Sequence, residues 1–353
     1  MVQQQLSSFA LRIRLSRWLF LCAGMIVVMI ILGGATRLTG SGLSIVEWRP
    51  LSGVLPPVSL EGWQELFHAY QRSPEYQQIN MGMSLEDFKD IFWLEFIHRL
   101  WGRLIGVVFL VPLIISYGSV EFRSTLFPRL MCIWLLGGLQ GVVGWYMVKS
   151  GLSADPHVSH YRLALHLFLG FTTYGLTVYY ALNIRTPLRE RTCTPGFSRM
   201  LYGILVILFG LTVFYGALVA GLKAGLMYNT FPTMNGAWVP HEWMALHPWW
   251  KNFIDNHATV QWIHRCLAVS SVITATLFGW YSRLQRGSLV IMGAFYIQAG
   301  IGIVTLVWQV PLSLGILHQA GALLVLSTLI FWWVRITRPL EQTCSLDINK
   351  HPS

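Results

Sequence analysis

The sequence predicts an all-α, polytopic membrane protein with eight transmembrane helices in two pseudo-symmetric four-helix bundles. Three observations carry that expectation. Of its 353 residues, 54% are hydrophobic and 11% charged, with mean hydropathy +0.53, whereas a soluble domain carries about 25% charged residues. Eight mainly apolar stretches reach the roughly 20 residues that a bilayer crossing needs. Motifs of the first half recur, in order, in the second. The composition excludes a soluble enzyme and a disordered chain.

The first span, 17–36, follows Arg12, Arg14 and Arg17. It is long and lacks a small-residue cleavage site, so it reads as a retained helix rather than a signal peptide. The others are expected at 92–117, 129–148, 160–182, 200–221, 259–281, 288–307 and 313–334. Loops on the N-terminal side hold fourteen basic residues against four acids, and the opposite side seven against ten. The positive-inside rule then puts both termini in the cytoplasm and the long loops, 37–91 and 222–258, outside. The net charge of +10 is thereby a topological signal, and no nucleic-acid partner is expected. Cys193 and Cys344 fall in cytoplasmic segments and Cys22, Cys132 and Cys266 within helices, so no structural disulfide is expected.

The repeat pairs EFIHR at 95–99 with QWIHR at 261–265, and Gln140-x-x-x-Gly144 with Gln298-x-x-x-Gly302. It also pairs His166 with His318, and Gly34-Ala35 followed by Gly42-Leu43 with Gly216-Ala217 followed by Gly225-Leu226. Four helices per half return the chain to the same side. Units 1–190 and 191–353 are therefore expected side by side, related by an axis along the membrane normal.

Few ionisable groups fall within the spans, and such groups are costly there and functional by default. They are Glu95, Arg99, Arg103, Arg162 and Arg265, with His98, His166, His264 and His318. Each histidine is five to seven residues into a span running from outside to inside, which puts all four roughly 8–10 Å below the outer helix ends. Two facing imidazoles in a four-helix bundle suit axial ligation of a haem iron. Zinc would prefer carboxylate or thiolate companions. Arg99 and Arg265, each following a histidine, are placed to meet haem propionates. The remaining histidines, at 68, 157, 160, 241, 247, 257 and 351, read as solvated loop or tail residues.

The halves differ at one position. Glu95, three residues before His98 and so on its helical face, has Gln261 as its counterpart before His264. A carboxylate can act as a base or stabilise a positive charge, and an amide cannot. The N-terminal half therefore reads as the reacting site and the C-terminal half as a fixed electron-transfer site.

These motifs resemble the haem A synthase family along nearly the whole chain. The matches are GGATRLTGSGLSIVEWRPLSGVLPP at 33–57, EFIHRLWGR at 95–103, AGLKAGLMYNTFPTMNG at 220–236, QWIHR at 261–265 and LHQAGA at 317–322. The resemblance implies an oxidoreductase of a bacterial inner membrane that oxidises the C8 methyl of haem O to a formyl group, giving haem A for terminal oxidases. It implies substrate haem between His98 and His166 with Arg99 nearby, Glu95 as the catalytic acid residue, and a haem b cofactor held by His264 and His318 with Arg265. Haem O synthase (protohaem farnesyltransferase), an electron acceptor and membrane lipid are the implied partners. Lacking cysteines in its outer loops, the chain is similar to the cysteine-free type of Gram-negative bacteria and mitochondria. The rival reading is a di-haem b electron carrier or quinol oxidoreductase, which would set its haems at two depths rather than at one level.

Overall fold

The computed structural model describes residues 2–49, 52–153, 155–185, 196–282 and 285–336. Among them the chain forms ten α-helices and no strand. They are α1 (Val2–Leu38), α2 (Leu60–Gln71), α3 (Pro74–Gln78), α4 (Leu85–Gly118), α5 (Phe127–Gly151), α6 (His160–Arg185), α7 (Gly196–Gly221), α8 (His257–Tyr281), α9 (Arg286–Val307) and α10 (Leu312–Ile336). The eight long helices coincide with the eight expected spans, and α2 and α3 lie in the first long loop.

Seven of the eight are long and apolar enough to cross a membrane, which makes the chain a multi-pass membrane protein. The exception is α6, whose hydropathy is lowered by His160, Arg162, His166, Thr172, Thr173 and Thr177. Its position accounts for this. It packs against α1, α5, α7 and α10, so little of it needs to meet lipid. Thr173 and Thr177 are buried and return their hydroxyls to the carbonyls of Leu169 and Thr173 at 2.8 and 2.7 Å.

The pairings α1 with α4, α4 with α5 and α5 with α6 recur as α7 with α8, α8 with α9 and α9 with α10. The contacts of α6 with α7 and α10, and of α1 with α10, join the two sets. Hydrogen bonds cross that junction. Tyr174 and Ser327 share one between hydroxyls at 2.7 Å, Tyr202 donates to the Leu329 carbonyl at 2.6 Å within the second set, and the Arg37 guanidinium reaches the Ala220 carbonyl. One apolar core, including Ile26, Ile30, Phe171, Tyr174, Leu205, Phe278 and Leu329, runs through both sets. A second, around Leu15, Leu19, Phe109, Leu130 and Ile133, closes the first set at the end away from the long loops. In lipid such packing holds helices by shape and dispersion rather than by excluding water.

Two helix starts are corrected: α1 begins at Val2 rather than 17, and α4 also starts early. The sequence places the second span from 92, but α4 begins at Leu85, where Ser84 and Asp87 form a capping box that satisfies two otherwise orphaned backbone donors. The extra turns carry Phe88, which with Phe92 packs against Tyr70 of α2 into a cap over the long-loop end. The cap's own helices begin on Ser59 and Ser73, whose hydroxyls accept from Gly62 and Tyr76 amides.

Cys22 is buried, and Cys132 and Cys266 are exposed, free thiols. Cys193 and Cys344 lie outside the described residues, as do Arg189, Arg191, Arg283, Arg338 and Lys350.

Candidate functional site

The four histidines stand on α4, α6, α8 and α10, all half-buried. His98 and His166 lie within electrostatic range of each other, as do His264 and His318. Measured from its helix start, His98 is about three and a half turns in because of the early start of α4, while the others are each about two turns in. Sequence position alone therefore does not give His98 its level.

Each imidazole edge rests on a glycine of a neighbouring helix. A Cβ at Gly33 would come 3.1 Å from His98 Nε2, and at Gly144 3.2 Å from His166 Cε1. At Gly216 it would come 3.0 Å from His264 Cε1, and at Gly302 2.7 Å from His318 Cε1. Hydrogen bonds then fix the histidine segments. Gln140 Nε2 donates to the His166 carbonyl at 3.1 Å, and Gln298 Nε2 to the His318 carbonyl at 2.8 Å while lying 3.1 Å from His318 Nδ1. His264 Nδ1 lies 3.0 Å from the Thr212 carbonyl. A ring that donates from Nδ1 to a carbonyl keeps the Nε2 lone pair free, which is the tautomer that binds metal. His166 Nδ1 is buried without a hydrogen-bond partner among the described residues.

Glu95 is 2% exposed and fully engaged. Its Oε2 accepts from Ser44 Oγ at 2.7 Å and from the Ile45 amide at 2.8 Å, and its Oε1 from Arg99 Nη2 at 2.6 Å and Nε at 3.0 Å. Arg99 also donates to the Ile45 and Glu47 carbonyls at 2.9 and 3.3 Å. Four donors, two of them from the Arg99 guanidinium, hold the carboxylate in a defined orientation.

The second half repeats this geometry with the acid removed. In the repeat Ile45 corresponds to Tyr228, and Gln261 Nε2 donates to the Tyr228 carbonyl at 3.0 Å. Arg265 donates to the carbonyls of Tyr228 at 2.7 Å, Thr230 at 2.8 Å and Thr233 at 3.2 Å. Ser44 corresponds to Met227, which has no donor. Gln261 Oε1 and Arg265 Nε are buried without partners among the described residues. The first site thus carries a neutralised Arg–Glu pair, and the second an arginine with no carboxylate.

Of the ionisable residues singled out by the sequence, Glu95, His98, Arg99 and His166 fall into one cluster at the long-loop end and His264, Arg265 and His318 into another, whereas Arg103 donates to the Arg49 carbonyl at 2.9 Å and Arg162 to the Tyr146 carbonyl at 2.6 Å. Sequence reasoning included Ser44 only within the motif at 33–57 and not as a partner of Glu95, 51 residues away, and it missed Thr212, for which no motif offered a signal. It noticed Gln140 and Gln298 as repeat markers but not as partners of the histidine carbonyls. His160, expected as a solvated residue, instead lies 3.0 Å from Asp255 with its side chain 19% exposed, because it opens α6 against the end of the second loop. His351 lies outside the described residues.

The family described as cytochrome oxidase assembly protein matches residues 16–330, an interval that includes both clusters. The chain belongs to that family. It is similar to a protein of Nitrosospira multiformis named heme A synthase, with 45% identity over 92% of this chain and 94% of the relative. Proteins of the same name from Rhodospirillum centenum and Parvibaculum lavamentivorans are 44% and 42% identical, over 92% and 91% of this chain and 88% and 94% of theirs. Family membership thus spans the whole helical bundle and not one motif.

Proposed function

We propose that this cytochrome oxidase assembly protein is a haem A synthase, converting the C8 methyl of haem O to the formyl of haem A. The observation that carries the reading is the pair of glycine-backed histidine clusters, one with a buried carboxylate and one without, in a chain whose relatives bear that name. The N-terminal half, 1–190, takes substrate haem between His98 and His166. The C-terminal half, 191–353, takes haem b between His264 and His318. The donor set fits such a group: paired imidazoles, helix approaches opened by glycine, and unpartnered buried polar atoms at His166 and Arg265.

Haem b, when bound, supplies one-electron transfer. The chain's own residues do the rest. Gly33 and Gly144 leave room for the substrate's ligand rings, and Gly216 and Gly302 for those of the second site. Thr212 holds His264 in its ligating tautomer. Arg99 and Arg265 tie the loops over the two sites and remain within reach of propionates, with Arg265 Nε open for one. Glu95, anchored by Ser44, Ile45 and Arg99, presents a fixed negative charge where the methyl carbon loses electrons, and can take a proton as water adds there. The methyl-to-formyl change removes four electrons and, with water as the oxygen source, four protons.

The farnesyl tail of the substrate enters laterally from lipid. The chain sits in a bacterial inner membrane with both termini cytoplasmic, receives haem O from haem O synthase and passes electrons to an acceptor. Expression in a bacterium deleted for its own haem A synthase tests the function. Restored haem A-containing oxidase absorbance supports it, and continued absence with the chain present in the membrane refutes it.

A further inference from the structure

We infer that Gln319 is a positioning residue that couples the two histidine sites through a single turn of α1. Gln319 follows His318 on α10. Its Nε2 donates to the Ile30 carbonyl of α1 at 3.1 Å, and its Oε1 lies 2.8 Å from where a Cβ on Gly34 would stand. At the adjacent Gly33, a Cβ would come 3.1 Å from His98 Nε2. The turn 30–34 is therefore a shared wall, with His98 against one glycine and the neighbour of His318 against the next. A side chain at either position would push one of them away.

The arrangement is one-sided. In the repeat Gln319 corresponds to Leu167, which follows His166 and packs with Phe214, Ala217 and Leu218. It has no polar group to offer. The hydrogen bonds that join α10 to α6 and α7, Tyr174 with Ser327 and Tyr202 with Leu329, lie away from the histidines, and Gln298 of α9 holds the His318 carbonyl from the other side, so general helix adhesion does not require a glutamine at 319.

The coupling rests on the reading of the two clusters as haem sites. With haem held at both sites, electrons leaving the substrate at the first would pass one at a time to haem b at the second and from there to the electron acceptor. A protein route leads from Gly33, beside His98, along α1 to the Ile30 carbonyl, across one hydrogen bond to Gln319, and along the backbone to His318. Gln319 fixes α10 against α1, and with it the spacing and coupling of the sites.

Two variants test this. Gln319→Leu removes the donor, and Gly34→Ala displaces Gln319 without altering it. In the haem-free chain both should raise amide exchange over residues 30–34. In protein loaded at both sites, both should keep the low-spin haem spectra and slow electron transfer between the haems after flash photoreduction by roughly tenfold, the lower end of what losing an outer-shell partner of a metal ligand costs in activity. The double variant should be no slower than either single, as expected for one shared contact. Unchanged transfer in Gln319→Leu with both haems present, or additive losses in the double variant, would overturn the coupling. Misassignment of the sites would show differently, as haem retained unchanged in His264→Ala.

Discussion

Arg99 and Glu95, one helical turn apart on α4, meet at 2.6 Å, and the same guanidinium grips the Ile45 carbonyl at 2.9 Å. The counterpart of this knot on α8 keeps the arginine and its loop carbonyls but replaces the acid by Gln261. One site is charge-balanced and holds an oriented anion. The other keeps a cation. That difference is the physical basis for assigning chemistry to the first and electron transfer to the second.

Glu95→Gln should preserve volume and leave helix packing intact, while losing the anion. Removing such a group typically slows a step 10²–10⁴-fold. Haem O or a hydroxylated intermediate should accumulate, with the C-terminal haem signal near wild type. Haem A yield near wild type at matched protein level would reduce Glu95 to a structural partner of Arg99.

Ser44→Ala should cost less. It removes one of four donors to Glu95, and a hydrogen bond to a charged group is worth about 1.5–3 kcal/mol, or roughly 10–100-fold in rate if orientation is the limiting property. Ser44→Thr should recover most of the loss. Equal rates for the alanine and wild-type chains would show that the Ile45 amide and Arg99 suffice.

Gly302→Ala should disturb the C-terminal site, because the new Cβ would lie 2.7 Å from His318 Cε1. Gly300, with open space around its missing Cβ, is the control two residues away. The expected outcome is a weakened or shifted low-spin haem b spectrum in Gly302→Ala and an unchanged one in Gly300→Ala. Indistinguishable spectra would separate His318 from haem ligation.

The cap should respond to pH. Burial pushes Glu75 up to about 7, the nearby Glu95 charge adds to the rise, and a hydrogen bond from Tyr70 at 3.1 Å opposes it. A carboxyl whose folded value is raised stabilises the fold most below its unfolded value of about 4.3 and loses that contribution as pH climbs through about 7. Amide protection in α2 and α3, measured relative to intrinsic exchange at each pH, should therefore fall between pH 5 and about 8, and Glu75→Gln should flatten the profile. A wild-type cap equally protected across that range would contradict the assignment.

Most of the fold was legible because a bilayer imposes long apolar runs, and loop charge and internal repetition mark their order. What escaped was set by tertiary context. The hydropathy of α6 reads low because its polar residues face helices. The start of α4 was hidden because Phe88 and Phe92 serve the cap, not the membrane, and α2 and α3 are too short to leave a strong period. At the site, Glu95, His98 and Arg99 share one helix face and could be read from spacing. The partners of Ser44, Thr212 and Gln319 could not, since each acts across 50 or more residues; Ser44 and Gln319 stand inside the matched motifs 33–57 and 317–322, but spacing along the chain does not say what their side chains meet.

The central claim is that His98 and His166 hold haem O for oxidation while His264 and His318 hold a separate haem b. Chromatography of haems extracted after coexpression with a haem O source tests it most directly, with wild type beside His98→Ala and His264→Ala. Wild type should yield haem A with haem b. His98→Ala should keep haem b and give no haem A, and His264→Ala should lose haem b. Haem b alone from the wild-type chain, with haem O supplied and unconverted, would contradict the account.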